Sequence, residues 1–202
     1  MGIYARLFAS RHPDEVVGMV LVDAFEENIR RAYGPTMQRL DRQARRLTVP
    51  FAWLGIMRIM FGRNPTMLTG GVPWLHRFPA ALHPAIFGLM YHPHMMRAGS
   101  QEWAVLGDVE EQVRSAGGLG DQPLAVLSSE RFDQVGGPGL SAAEWAAIQQ
   151  ANEDGQARLI RLSTRCRQQI VEGSGHWIPL EQPEAVVAAI RQIALEIAAQ
   201  NG

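Results

Sequence analysis

The run Val16-Val-Gly-Met-Val-Leu-Val22, closed by Asp23, constrains this chain more than any other stretch. It offers no polar side chain over its whole length, so it does not suit a surface strand that alternates between core and solvent. It suits a strand covered on both faces, as in a parallel sheet. Parallel neighbours need crossover connections, usually helical. The chain supplies both parts: Pro123-Leu-Ala-Val-Leu127 and Arg167–Val171 read as further strands, residues 141–162 as the helix between them and 184–199 as the helix that follows. The predicted class is therefore α/β, with parallel strands near 17–22, 123–127 and 167–171 and flanking helices.

Local signals support these elements. Ile3, Tyr4, Leu7 and Phe8 fall on one helical stripe in residues 3–11, which Pro13 stops. Ser141-Ala-Ala-Glu144 is a capping box, and Val186, Ile190, Ile193 and Ile197 give the last helix one apolar face. From Ala24 to about Gly118 the pattern changes to helices broken by Pro and Gly. Residues 26–46 are Arg-rich and amphipathic, 49–61 apolar, 63–84 punctuated by prolines and 85–97 rich in Met and His; 100–116 read as a helix.

The clearest pointer to chemistry is Gln169-Ile-Val-Glu-Gly-Ser-Gly-His176-Trp-Ile-Pro-Leu-Glu-Gln-Pro183. A short β-branched run ends at Gly173, the chain turns, and a helix restarts at Pro183 with Glu184 in its first turn. His176 is thereby presented beyond the carboxyl end of a strand, where open α/β sheets place their ligands.

This loop resembles the histidine loop of the α/β-hydrolase family, in which the histidine is the general base of a Ser-His-Asp/Glu triad. Gly2-Ile-Tyr-Ala-Arg-Leu-Phe-Ala-Ser-Arg-His-Pro-Asp-Glu-Val-Val-Gly-Met-Val-Leu-Val-Asp23 resembles the family's helix after the nucleophile elbow and its sixth strand. The likeness implies an incomplete α/β-hydrolase fold, with 1–24 and 118–202 as a partial core and 25–117 as a helical cap insertion. The elbow's Gly-x-Ser-x-Gly turn is expected just ahead of that helix, with Met1-Gly2 as its last trace and the serine upstream of Met1. The serines at 10, 100, 115, 128, 129, 141, 163 and 174 lack the Gly-x-Ser-x-Gly setting.

For the triad acid two places compete. Most of the family carries it after the seventh strand, which nominates Asp133, with Glu130 behind it. A minority carries it after the sixth, which nominates Asp23. Glu172 lies too close to His176 along the loop to orient it. Trp53, Met57, Met90 and Trp177 are candidates to line a substrate pocket, methionine adapting to irregular ligands. The resemblance implies hydrolysis of an ester-like small apolar substrate, with the 202 residues inactive alone for want of the nucleophile. The alternative is a non-catalytic ligand-binding or interaction module derived from the same fold. No cofactor is implied.

Composition narrows the partners. With 19 basic and 20 acidic residues the net charge is -1, which gives no nucleic-acid footprint. One cysteine, Cys166, excludes a disulfide framework within the chain. His92 and His94 in Tyr-His-Pro-His have no third ligand spaced nearby, so no metal site is expected. The apolar stretch 49–61 contains Arg58 and is too short for a membrane span. A cytoplasmic protein with a small-molecule substrate is expected, and the edge of strand 17–22 is open to pairing with another chain.

Overall fold

The computed structural model describes residues 2–57, 59, 75, 77–132 and 140–200. Its three strands are β1 (Met19–Val22), β2 (Leu124–Ser129) and β3 (Cys166–Val171), parallel and in that spatial order. Met19 sits beside Leu124 and Leu124 beside Cys166, so all three carboxyl ends lie at one edge of the sheet. The described helices are α1 (Gly2–Arg11), α2 (Pro35–Trp53), α3 (His83–Met90), α4 (Pro93–Ser115), α5 (Ala142–Ile160), α6 (Ile178–Glu181) and α7 (Pro183–Ala198). The chain is thus a mixed α/β protein with a parallel sheet and flanking helices.

The central position of β2 explains why residues 124–128 are all buried. The two-residue period of a strand sends alternate side chains to opposite faces. Leu124 and Val126 join Met19, Leu21, Ala9 and Leu159 on one face; Ala125 and Leu127 join Val171, Ile178, Ala189 and Ile193 on the other. Each fully buried Leu or Val contributes about 1.5–3 kcal/mol. Along β1 the same alternation puts Met19 and Leu21 in the first cluster, while Val20 and Val22 pack against the second. In contrast, residues 167–170 of β3 are exposed, as its outer position allows. Arg167 there pairs with Glu196 of α7 at 2.8 Å.

Two compact units make up the chain: residues 1–33, 108–135 and 141–202, which hold the sheet, and residues 34–107 with 136–140. In the second unit Ala52 and Leu75 are buried, and the His83 ring bonds to the Phe78 carbonyl oxygen at 2.9 Å.

Three helices depart from the sequence expectation. In α1 the buried positions are Ile3, Arg6 and Ala9, and Phe8 is exposed, stacked on His12. The apolar stripe is displaced because Arg6 finds a buried carboxylate partner, Glu27. Expected breaks between 46 and 49 do not occur, since α2 continues to Trp53 with Pro50 inside it. Proline removes one hydrogen bond of the preceding turn, and here the helix ends within a turn of it. The helix expected over 100–116 starts instead at Pro93, at the first helical position, where a missing N–H costs nothing.

Candidate active site

The parallel register brings the site together. Val22 lies beside Leu127, and the Asp23 N–H donates to the Leu127 carbonyl at 2.7 Å, carrying the ladder one residue past β1. Asp23 then adopts φ +40°, a left-handed conformation that aspartate tolerates better than most side chains. Its carboxylate turns back over the end of the sheet. Oδ1 accepts from the backbone N–H of Ser129 at 3.1 Å and from the Ser129 hydroxyl at 3.0 Å. Oδ2 lies 2.7 Å from His176 Nδ1.

His176 reaches this point through a tightly held turn after β3. Gly173 has φ +69°, where a side chain would be strained. The Ser174 hydroxyl donates to the Val171 carbonyl at 2.6 Å, and Ser174 is fully buried. Beyond the histidine, Ile178 is also fully buried and anchors α6 on the sheet. The Trp177 ring stands edge-on to the imidazole at 5.4 Å, and the His176 side chain itself is half-exposed.

The segment following Asp23 is fixed by charged contacts. Glu26 is buried, and its carboxylate accepts from Arg158 of α5 at 2.7 and 2.8 Å and from Asn28 at 2.7 and 2.9 Å. Burial by itself raises the Glu26 pKa; the hydrogen bonds from Arg158 and Asn28 outweigh it and hold the group below its ordinary value. Gln156 closes the same junction, donating to the Ala24 carbonyl at 3.1 Å and accepting from the Ser128 hydroxyl at 2.9 Å. Arg30 pairs with Glu110 at 3.3 Å; there burial outweighs the arginines and raises the Glu110 pKa.

Among the described residues, Asp23 is the candidate acid whose carboxylate meets His176. Asp133 lies outside the described residues. Glu130 instead accepts from the Gly173 N–H at 2.8 Å. Trp177 is half-buried beside His176, in the first unit. Trp53, Met57 and Met90 belong to the second unit, where Trp53 is exposed and stands edge-on to His94 at 5.5 Å, and the two methionines are half-buried. The hydroxyls of Ser128, Ser129, Ser163 and Ser174 are each engaged within the fold. Among the described residues no three His, Cys, Asp or Glu side chains are grouped to hold a metal ion, and no helix is long and apolar enough to cross a membrane. The rings of His92 and His94 stack on each other at 5.3 Å.

Comparison with protein-family models, with curated proteins and with solved structures finds no match to this chain. The geometry of the site carries the functional argument.

Sequence reasoning did not single out Ser129 and Glu181 as parts of the site. Ser129 carries no signal in the sequence beyond its place at the end of an apolar run. Glu181 follows the histidine by five positions, and one turn of α6 is enough to fold its carboxylate back to the Gly175 N–H.

Proposed function

We propose that His176 and Asp23 are the base and the acid of a serine-type hydrolase of the α/β-hydrolase kind, acting on an ester-like small apolar substrate. The observation that carries this reading is the 2.7 Å contact between Asp23 Oδ2 and His176 Nδ1 at the carboxyl edge of a parallel sheet. Asp23 holds the neutral ring in the Nδ1–H form, which makes Nε2 the basic nitrogen, and it stabilises the imidazolium formed when that nitrogen takes a proton.

The chemistry is acyl transfer. A serine oxygen attacks the ester carbonyl while its proton passes to His176 Nε2. The tetrahedral intermediate collapses as the imidazolium returns that proton to the leaving alcohol. Water, deprotonated by the same nitrogen, then attacks the acyl-enzyme; the acid is released as the imidazolium returns its proton to the serine oxygen. The serine is assigned to the turn leading into α1. Supporting that placement, a Cβ added at Gly2 would approach the Ala24 Cβ to 2.5 Å, so the start of α1 abuts the residue next to Asp23.

The reading is tested with a fluorophosphonate probe on two proteins. The 202 residues alone are expected to remain unlabelled. The same chain preceded by its in-frame upstream residues is expected to be labelled, and to lose labelling on His176→Ala or Asp23→Asn. An extended chain that stays unlabelled overturns the reading; labelling of the shorter chain that disappears on His176→Ala overturns the placement of the serine.

A further inference from the structure

Three consecutive residues ahead of His176 are each fixed by a group from outside their own turn. The Gly173 N–H donates to Glu130 Oε2 at 2.8 Å. The Ser174 carbonyl accepts from the Arg131 backbone N–H at 3.1 Å. The Gly175 N–H donates to Glu181 Oε2 at 2.5 Å. The last two are joined to each other, because the Arg131 guanidinium lies 3.7 Å from Glu181 Oε2. Glu130 and Arg131 follow directly on β2, and Glu181 closes α6, so the turn is gripped from two sides.

From this arrangement we infer that Glu181 is a positioning residue for His176, setting the Ser174–Gly175 peptide plane that leads into the histidine and so the reach of the imidazole to Asp23, with Arg131 holding the Glu181 carboxylate in place. This inference rests on the assignment of His176 as the base. Glu181 is nearly buried, so its hydrogen bond to Gly175 forms in a setting of low polarity, where a charge-assisted bond is strong. The Gly175 N–H and the Ser174 carbonyl belong to one peptide plane, held at both ends by Glu181 and Arg131; His176 is the second residue past that carbonyl, so rotation of the plane carries the histidine backbone with it through Gly175. A displacement of about 1 Å at a catalytic group is enough to lower a rate about a hundredfold.

Ser129 and Glu181 then have matching tasks. Ser129 fixes Oδ1 of the acid with two donors and leaves Oδ2 directed at the ring. Glu181 fixes the backbone from which the ring is hung. A base so held needs less reorganisation when it receives the proton.

The test is nuclear magnetic resonance on the 202-residue chain, with two readouts: hydrogen exchange of the Gly175 amide and the His176 Nδ1–H resonance. Thermal unfolding is followed in parallel. For Glu181→Ala, Gly175 protection is expected to fall about tenfold or more, as loss of a bond to a charged acceptor implies, and the Nδ1–H signal to broaden or vanish. Glu181→Gln keeps an acceptor oxygen at the same reach and is expected to retain both signals. Should the alanine variant fail to fold, Arg131→Ala serves in its place, with a smaller loss of protection and a broadened Nδ1–H expected. Wild-type protection and an unchanged Nδ1–H resonance in the folded variant overturn the inference. Neither readout needs a nucleophile or a substrate, so failure of fluorophosphonate labelling in the extended chain leaves this result standing, and an unchanged resonance here leaves the hydrolase reading untouched.

Discussion

Asp23 and His176 stand 153 positions apart in sequence, yet Oδ2 of one lies 2.7 Å from Nδ1 of the other. The contact dictates a tautomer. In wild-type protein the neutral His176 ring is expected in the Nδ1–H form, visible in the two imidazole nitrogen-15 shifts. Asp23→Asn, whose amide can donate as well as accept, is expected to populate the Nε2–H form. Under the proposed hydrolase function, the same substitution in the upstream-extended chain is expected to lower turnover by about 10⁴-fold, the cost of a wrongly oriented base. A variant that keeps the wild-type nitrogen shifts contradicts the role given to Asp23.

Ser129 gives the Asp23 carboxylate two hydrogen bonds, one from the backbone and one from the hydroxyl. Ser129→Ala removes only the second. A hydrogen bond to a charged acceptor contributes about 1.5–3 kcal/mol, and water reaching this edge of the sheet replaces part of it. We expect a loss of about 1–2 kcal/mol in urea unfolding, with Ser129→Thr restoring most of it. Equal stability of the alanine and wild-type proteins would remove Ser129 from the site.

How much of this was legible in the sequence follows from the range of each interaction. The capping box at Ser141 is present as read, because Ser141 and Glu144 interact within one turn. β1 and β2 were legible because an unbroken apolar run has few other uses, and β3 from the β-branched pair Ile170-Val171 ahead of Gly173; the bounds shift by only a residue or two. The histidine loop was legible from its glycines. That Asp23 would meet the ring was not, since an Asp after a strand suits a turn equally well and only the register of β1 against β2 carries it there. The buried face of α1 was hidden for the same reason: Arg6 is buried through Glu27, 21 positions away, and nothing in the helix itself announces that partner.

The outer edge of β1 suits a further strand. β1 is terminal in the described sheet, and its four residues are all apolar, with no charge or proline of the kind that protects an edge. Val17, just ahead of the strand, is exposed. We expect concentration-dependent association of the 202-residue chain in sedimentation velocity, reduced by Val17→Lys with little change in thermal stability. A monomer at every concentration counts against pairing through this edge.

Acid stability tests the clasp behind Asp23. The Glu26 pKa is lowered in the folded state, because hydrogen bonds from Arg158 and Asn28 outweigh the effect of burial. A depressed carboxyl binds its proton more weakly folded than unfolded, so its contribution is fully present above about pH 4.5 and is lost as pH falls through the folded-state value. Glu110, raised by burial, acts in the opposite sense: the folded state takes up its proton first, and that group favours folding as pH falls. Glu26→Gln is therefore expected to flatten the decline in unfolding free energy below pH 4.5, and Glu110→Gln to steepen it. Arg158→Ala strands the buried Glu26 carboxylate and should cost about 2–3 kcal/mol at neutral pH, shrinking as the medium becomes acidic enough to protonate Glu26. Urea unfolding of the three variants between pH 3 and 7 reads all of these slopes, and a Glu26→Gln curve parallel to wild type would show that this carboxylate is not held by the arginine.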